Sequence, residues 1–209
     1  MNSKAERKEK ALQYFDDHLH CSQSILAAFS EECGITEETA FRLGSCFGSG
    51  MRKGNVCGAC TGALMVLGLI YGETHAGDQE GRLRTNRLND LMMDRFSEAN
   101  GSCICNELLG CDVRTPEGVQ YARDRHLFTE FCPKMVASAV EILEGIIKKA
   151  TMKKADERYA NIDLLLADLI RARADITGAA KRVQPAQKPV EKKEEPVKEA
   201  ADCLPSNGQ

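Results

Sequence analysis

Tryptophan is absent from the 209-residue chain, and four tyrosines and seven phenylalanines make up its whole aromatic complement. A surface that stacks nucleobases needs aromatic faces beside a basic groove, and a formal net charge of −3 supplies no footprint for phosphates either. No nucleic acid partner is expected. Long apolar runs are missing too: the longest, Ala63 to Tyr71, is interrupted by Gly68 and falls far short of the roughly 20 residues a bilayer helix needs. No membrane insertion is expected. The first ten residues mix both charge signs and lead into no apolar segment, so they do not read as a secretory leader. A cytoplasmic protein is the expectation. Proline is scarce and unevenly placed, with four of six prolines (Pro185, Pro189, Pro196 and Pro205) beyond Gly178, among Lys and Glu and almost no large apolar residues. Residues 178–209 therefore read as a disordered tail.

Cysteine, by contrast, is abundant, with ten in the chain. Disulfide staples are rare where thiols are kept reduced, so a cytoplasmic protein with this many points to metal binding or redox chemistry. Cys57 and Cys60 form a Cys-x-x-Cys pair behind the glycine-rich stretch Gly48–Gly54, and Cys103 and Cys105 form a Cys-x-Cys pair behind Gly101. Cys21, Cys33, Cys46, Cys111, Cys132 and Cys203 stand singly. A single cysteine is often only a small buried hydrophobe, and Cys33, Cys46 and Cys111 are read that way. Cys203 lies in the tail.

Helical periodicity dominates, and no segment shows strand-like alternation between turns. The fold class expected is all-α: a single helical bundle over residues 1–150, an extra C-terminal amphipathic helix over 151–177 and the disordered tail. Leu12, Phe15 and Leu19 form one stripe, and Ile25 and Phe29 a second that stops at Cys33 and Gly34. Thr36 suits the cap of a short helix reaching about Phe47. Val56 to Glu73 is the most apolar helix, expected at the centre, and Asp78 to Ala99 is a longer amphipathic one. The arginines of that helix, Arg82, Arg84, Arg87 and Arg95, read as a solvated face. Residues 102–129 are less regular, with a short helical turn after Cys105 and another begun by Pro116. Pro133 to Lys149 forms a strong helix. Beyond it, Asp156 suits the cap of a helix to about Ile176, whose apolar face must pack on the bundle or make a homo-oligomer.

Residues three and four apart share a helix face. Cys21 lines up with Ile25 and Phe29, Cys57 and Cys60 lead into Leu64, Leu67 and Tyr71, and Cys132 leads into Val136, Val140 and Leu143. These cysteines face the core. Cys21, Cys57, Cys132 and, more weakly, Cys105 also sit where their helices begin. The free N–H groups there stabilise a thiolate, which would lower a thiol pKa from about 8.5 by one to several units. Arg52 and Lys53 are the nearest cations in sequence to Cys57, although solvated loop charge explains them as well. His18 and His20 precede Cys21, and His126 precedes Cys132, as possible ligands or as surface histidines.

The segments His20–Leu26, Phe47–Met51, Val56–Gly68, Gly101–Gly110 and Cys132–Val136 together resemble the C_GCAxxG_C_C redox-active proteins of bacteria and archaea. The resemblance runs from about residue 12 to residue 145. It implies a redox role and puts the family cysteines at Cys21, Cys57, Cys105 and Cys132. The module is similar to one attached to haem in some cytochromes that also carry an iron-sulfur centre. Thr61 follows Cys60 where haem attachment needs His, so no covalent haem is expected. Cys46, Cys60 and Cys103 are additional to the family pattern.

Three functions are open on this reading. Cys21, Cys57, Cys105 and Cys132 could hold an iron-sulfur cluster that exchanges electrons with a protein partner, with Cys60 and Cys103 as second-tier ligands. Cys57 and Cys60 could instead act as a thiol-disulfide enzyme or sensor. Zinc on Cys57, Cys60, Cys103 and Cys105 is the third, although one residue between Cys103 and Cys105 is short for a zinc hairpin.

Overall fold

The computed structural model describes residues 4–150; the expected helix over 151–177 and the tail with Cys203 lie outside them. Within this span the chain forms eight helices and no strand. They are α1 (Lys4–Asp16), α2 (Cys21–Ala28), α3 (Glu37–Gly44), α4 (Gly58–Tyr71), α5 (Gln79–Asn100), α6 (Cys105–Leu109), α7 (Pro116–Asp124) and α8 (Cys132–Ala150). The only bridge among the described residues is an isolated antiparallel one, Val56 to Ile104. No described helix is long and apolar enough to cross a membrane.

The boundaries follow local chemistry. Thr36, Asp78 and Thr115 cap α3, α5 and α7 by accepting from the N–H groups of Thr39 (3.1 Å), Gly81 (2.8 Å) and Gly118 (3.0 Å). Helix α5 ends on Gly101 at φ 88°, the left-handed residue that closes a helix. Several boundaries differ from expectation, α3 among them, which stops at Gly44 short of Phe47. Helix α4 starts at Gly58 rather than Val56, because Val56 is committed to its bridge with Ile104. Helix α2 ends at Ala28, and the chain then turns tightly to Gly34 at φ 66°.

The centre of the bundle is α2 rather than the more apolar α4. Ser22 through Ala28 are all buried, with α1, α3, α4 and α8 packed around them, whereas α4 leaves Gly68 and Leu69 exposed. Three buried polar residues of α2 would make this costly if unpaired, and each is bonded. Ser22 Oγ donates to Gly44 O (2.7 Å), Ser24 Oγ to His20 O (3.0 Å), and Gln23 Nε2 to Phe41 O (2.8 Å). The apolar remainder, with Ile25, Leu26, Phe29, Val66, Met92, Phe96, Val136, Val140 and Leu143 fully buried, forms one core. The arginine face of α5 is only partly solvated. Arg82 pairs with Glu73 at the surface, but Arg84 Nε donates to the Tyr71 carbonyl (3.1 Å), satisfying the open end of α4.

Two glycines set how closely α2 and α4 cross. A Cβ at Gly62 would lie 2.9 Å from Ser22 O and 3.0 Å from Ile25 Cβ, and one at Gly58 would lie 3.2 Å from Cys21 Cβ. Glycine is needed there for the approach of one backbone to another. Gly62→Val should therefore lower stability by about 1–3 kcal/mol through overpacking. Gly68→Ala, in the same helix with open space around its Cβ, should raise it by roughly 0.5–1 kcal/mol. Urea melts of the two variants should move in opposite directions, and equal shifts would remove the packing argument.

Candidate functional site

Four helices begin at one end of the bundle, each with a cysteine at its first residue or directly before it. Cys21, Cys105 and Cys132 are the first residues of α2, α6 and α8, and Cys57 is the residue that precedes α4. All four line a single cavity of about 300 Å³. Phe15, Leu19, Leu109 and Phe128 supply its apolar wall, and Asp16, His18, His20, Ser49 and Thr129 its polar side.

Each approach has a local cause. The tight α2–α4 crossing at Gly58 and Gly62 brings Cys21 to Cys57. Cys57 N–H donates to Cys103 O (2.8 Å) and Cys105 N–H to Asn55 O (2.7 Å), which fastens the two cysteine motifs across the Val56–Ile104 bridge. Asn106 then locks α6 onto the glycine loop. Its amide lies where a Cβ on Gly54 would stand, while its Oδ1 accepts from Val113 N–H (3.0 Å). Cys132 enters from the far side, after the wide turn Leu127–Phe131, and meets the Cys21 thiol.

The electrostatics reverse the expectation of depressed thiol pKa values at Cys21, Cys57 and Cys105. Cys21 keeps its proton, donating a hydrogen bond to the Cys132 sulfur, and this bond with loss of water and the neighbouring Cys57, Cys132 and Cys105 pushes it well above its ordinary value. Burial pushes Cys57 up to about 11, against the pull of the Ala59 and Cys60 N–H groups, and pushes Cys105 up to about 12 with help from Cys57 and Cys132. Loss of water outweighs the helix-end field. Only Cys132 moves down, because the Cys21 thiol bonds to its sulfur. The site therefore holds its protons more tightly at Cys21, Cys57 and Cys105 than at Cys132.

The remaining candidates separate. Cys60 is fully buried on the core side, where burial, Cys57 and Cys103 push it up to about 12, and it does not line the cavity. Cys103 is half-buried beside Cys57. Cys33 is pushed up to about 12 by burial and Glu32, in keeping with a packing role, and Cys111 is half-buried. Cys46 is exposed, not packed, because it sits in the short turn Ser45–Phe47 after α3. Arg52 and Lys53 are exposed, and the groups acting on Cys57 are backbone N–H groups and other cysteines. His18 and His20 line the cavity, whereas His126 stands outside it, before the turn that supplies Phe128 and Thr129.

Asp16, Ser49, Phe128 and Thr129 were not singled out by sequence, and one geometric feature groups them. The non-glycine residues with positive φ among the described residues are His18 (68°), Ser49 (52°), Met51 (56°), Arg52 (56°) and His126 (55°). His18 and Ser49 line the cavity, Met51 and His126 stand two residues from one that does, and Arg52 follows Met51 in the same glycine loop. Such backbone costs of order 1–3 kcal/mol each and collects where function holds it.

Among the described residues, no three or more His, Cys, Asp or Glu side chains are placed to hold one metal ion. A cluster of several metal atoms asks for something else: thiolates spread around a larger body, in a space many times the ~30 Å³ share of one water. The four thiols and their cavity fit that demand. A family model described as "Putative redox-active protein (C_GCAxxG_C_C)" matches residues 19–146, which contain all four. No curated protein and no solved structure matches.

Proposed function

The chain belongs to the C_GCAxxG_C_C family, and from that footing we propose that Cys21, Cys57, Cys105 and Cys132 bind an iron-sulfur cluster used for electron transfer. The observation that carries the reading is that these four cysteines, from four separate helices, line one cavity. Thiolates are the usual ligands of such clusters, and when bound the group would supply one-electron redox chemistry. The chain's own residues do the rest. The N–H groups of Ala59 and Cys60 favour negative charge at Cys57, and Phe15, Leu19, Leu109 and Phe128 restrict water around the thiols. Loading must drive protons off Cys21, Cys57 and Cys105, so it should be favoured by alkaline pH. A redox partner protein would approach on the cavity side carrying His18, His20, Ser49 and Thr129.

The test is metal and sulfide analysis of protein purified without oxygen. Brown protein with iron and acid-labile sulfide is expected, and Cys105→Ser or Cys132→Ser should lose most of both, while Cys46→Ser keeps them. Colourless, iron-free wild type after reconstitution with ferrous iron and sulfide would end this reading.

A second reading, thiol-disulfide exchange, is favoured by the contact between the Cys21 and Cys132 thiols. It moves the reactive pair away from Cys57 and Cys60, since a fully buried thiol at about 12 is a poor nucleophile. Zinc on Cys57, Cys60, Cys103 and Cys105 has less support, given that no three such side chains gather around a single ion among the described residues.

A further inference from the structure

The bridge between Val56 and Ile104 has a covalent possibility built into it. In an antiparallel pair, directly opposed residues project to the same face. With Val56 opposite Ile104, Cys57 stands opposite Cys103, and the Cys57 N–H to Cys103 O bond (2.8 Å) holds them in register. Opposed residues have Cβ atoms about 4.5–5.5 Å apart, and a hydrogen-bonded pair such as this one stands at the wider end, about 1 Å beyond the roughly 3.5–4.5 Å of a disulfide. Small movement would close the gap. We propose that Cys103 is a resolving thiol for the cavity site, forming a reversible disulfide with Cys57 that withdraws one of the four donors. Cys103 lies outside the family's four-cysteine pattern, and the inference rests on the cluster reading only for its consequence, not for the bond itself.

The alternatives are weaker for physical reasons. Cys60 is nearer to Cys57 in sequence, but it is fully buried in the core, out of reach of an oxidant. Cys103 is half-buried, and Cys57 opens onto the cavity. A small disulfide such as oxidised glutathione would serve as oxidant. The Cys103 thiolate attacks one of its sulfurs, making a mixed disulfide and releasing one glutathione thiolate. The Cys57 thiolate then attacks the Cys103 sulfur, forming the protein disulfide and releasing the second. Both cysteine protons end on the two glutathione thiols, so two protein thiols are oxidised and one glutathione disulfide is reduced. A reducing thiol reverses the sequence.

The experiment uses the full chain, stripped of metal, reduced, treated with oxidised glutathione, alkylated and mapped by peptide mass. A Cys57–Cys103 crosslink is expected in the wild type and in Cys60→Ser, and none in Cys103→Ser. Oxidised wild type should also lose uptake of ferrous iron and sulfide, regain it with dithiothreitol, and differ in this from Cys103→Ser, which should keep its uptake after oxidation. A principal crosslink at Cys57–Cys60 or Cys21–Cys132, or equal loss of uptake in Cys103→Ser, would overturn the proposal. Reduced wild type that takes up no iron would end the cluster reading alone, because the crosslink map is read without metal.

Discussion

Metal-free, reduced protein should lose its fold as the pH rises from about 9 to 11. The cause lies in three buried thiols, Cys57, Cys60 and Cys105, held near 11, 12 and 12 against about 8.5 for an unfolded cysteine. Each is raised on folding, so its contribution is fully present below the unfolded pKa and fades as the pH climbs toward the folded one. Between those limits the unfolded chain has released protons that the folded chain still binds, and stability falls by about 1.4 kcal/mol per pH unit per thiol. Three thiols over two units amount to something on the order of 8 kcal/mol, comparable with the 5–15 kcal/mol of a typical domain. Urea melts at pH 7.5, 9, 10 and 11, with chelator and reductant present, should show the midpoint collapsing. The variant Cys57→Ala, Cys60→Ala, Cys105→Ala should make the curve markedly shallower, leaving the part due to Cys21 and Cys33, which separates the three thiols from Lys and Tyr titrating nearby. A wild type as steep as that variant would mean the thiols are solvated.

The same burial explains what could and could not be read from the sequence. Cys21, Cys57, Cys105 and Cys132 announced themselves by position, since a helix start is a local property of caps, prolines and apolar spacing. Their gathering at one cavity depends on contacts between segments far apart in the chain, such as Gly62 against Ser22 or Asn55 against Cys105. Periodicity says nothing about those. At Cys21, Cys57 and Cys105 the thiol pKa rises rather than falls for a related reason: the helix-end field is local and legible in the sequence, whereas the desolvation that outweighs it belongs to the assembled core. Helix α2 was underrated because Ser22, Gln23 and Ser24 look like a polar face. Ser24 bonds to His20 at the start of its own helix, but the partners of Ser22 and Gln23, namely Gly44, Phe41 and Ser45, lie in or just after α3, so only the fold reveals those two as satisfied. Cys46, exposed in a turn, shows the converse: cysteine's general preference for burial does not fix an individual residue.

Arg7→Met should be among the most damaging single substitutions in the described bundle, although nothing in the sequence marks the residue. Arg7 of α1 bonds to Glu144 of α8 and to Glu32 in the turn after α2, and its guanidinium lies 5.3 Å from the centre of the Phe29 ring. Side-chain exposures of 10%, 14% and 10% for Arg7, Glu32 and Glu144 make this a buried triad, already one positive charge short, with Glu32 Oε2 buried and unbonded. Removing the arginine leaves two carboxylates without a counter-ion, which costs about 3–5 kcal/mol. Replacing the whole triad, as Arg7→Met, Glu32→Leu, Glu144→Leu, should recover most of that loss, since apolar groups of similar volume carry no desolvation penalty. The effect should reach the site, because the triad ties α1 to α8 and to the segment after α2, and those last two helices carry Cys132 and Cys21. In Arg7→Met, alkylation of Cys132 mapped by peptide mass should speed up under native conditions, and the triple variant should slow it again. A single variant as stable as the wild type, with unchanged Cys132 reactivity, would show that the α1–α8 contact rests on apolar packing alone.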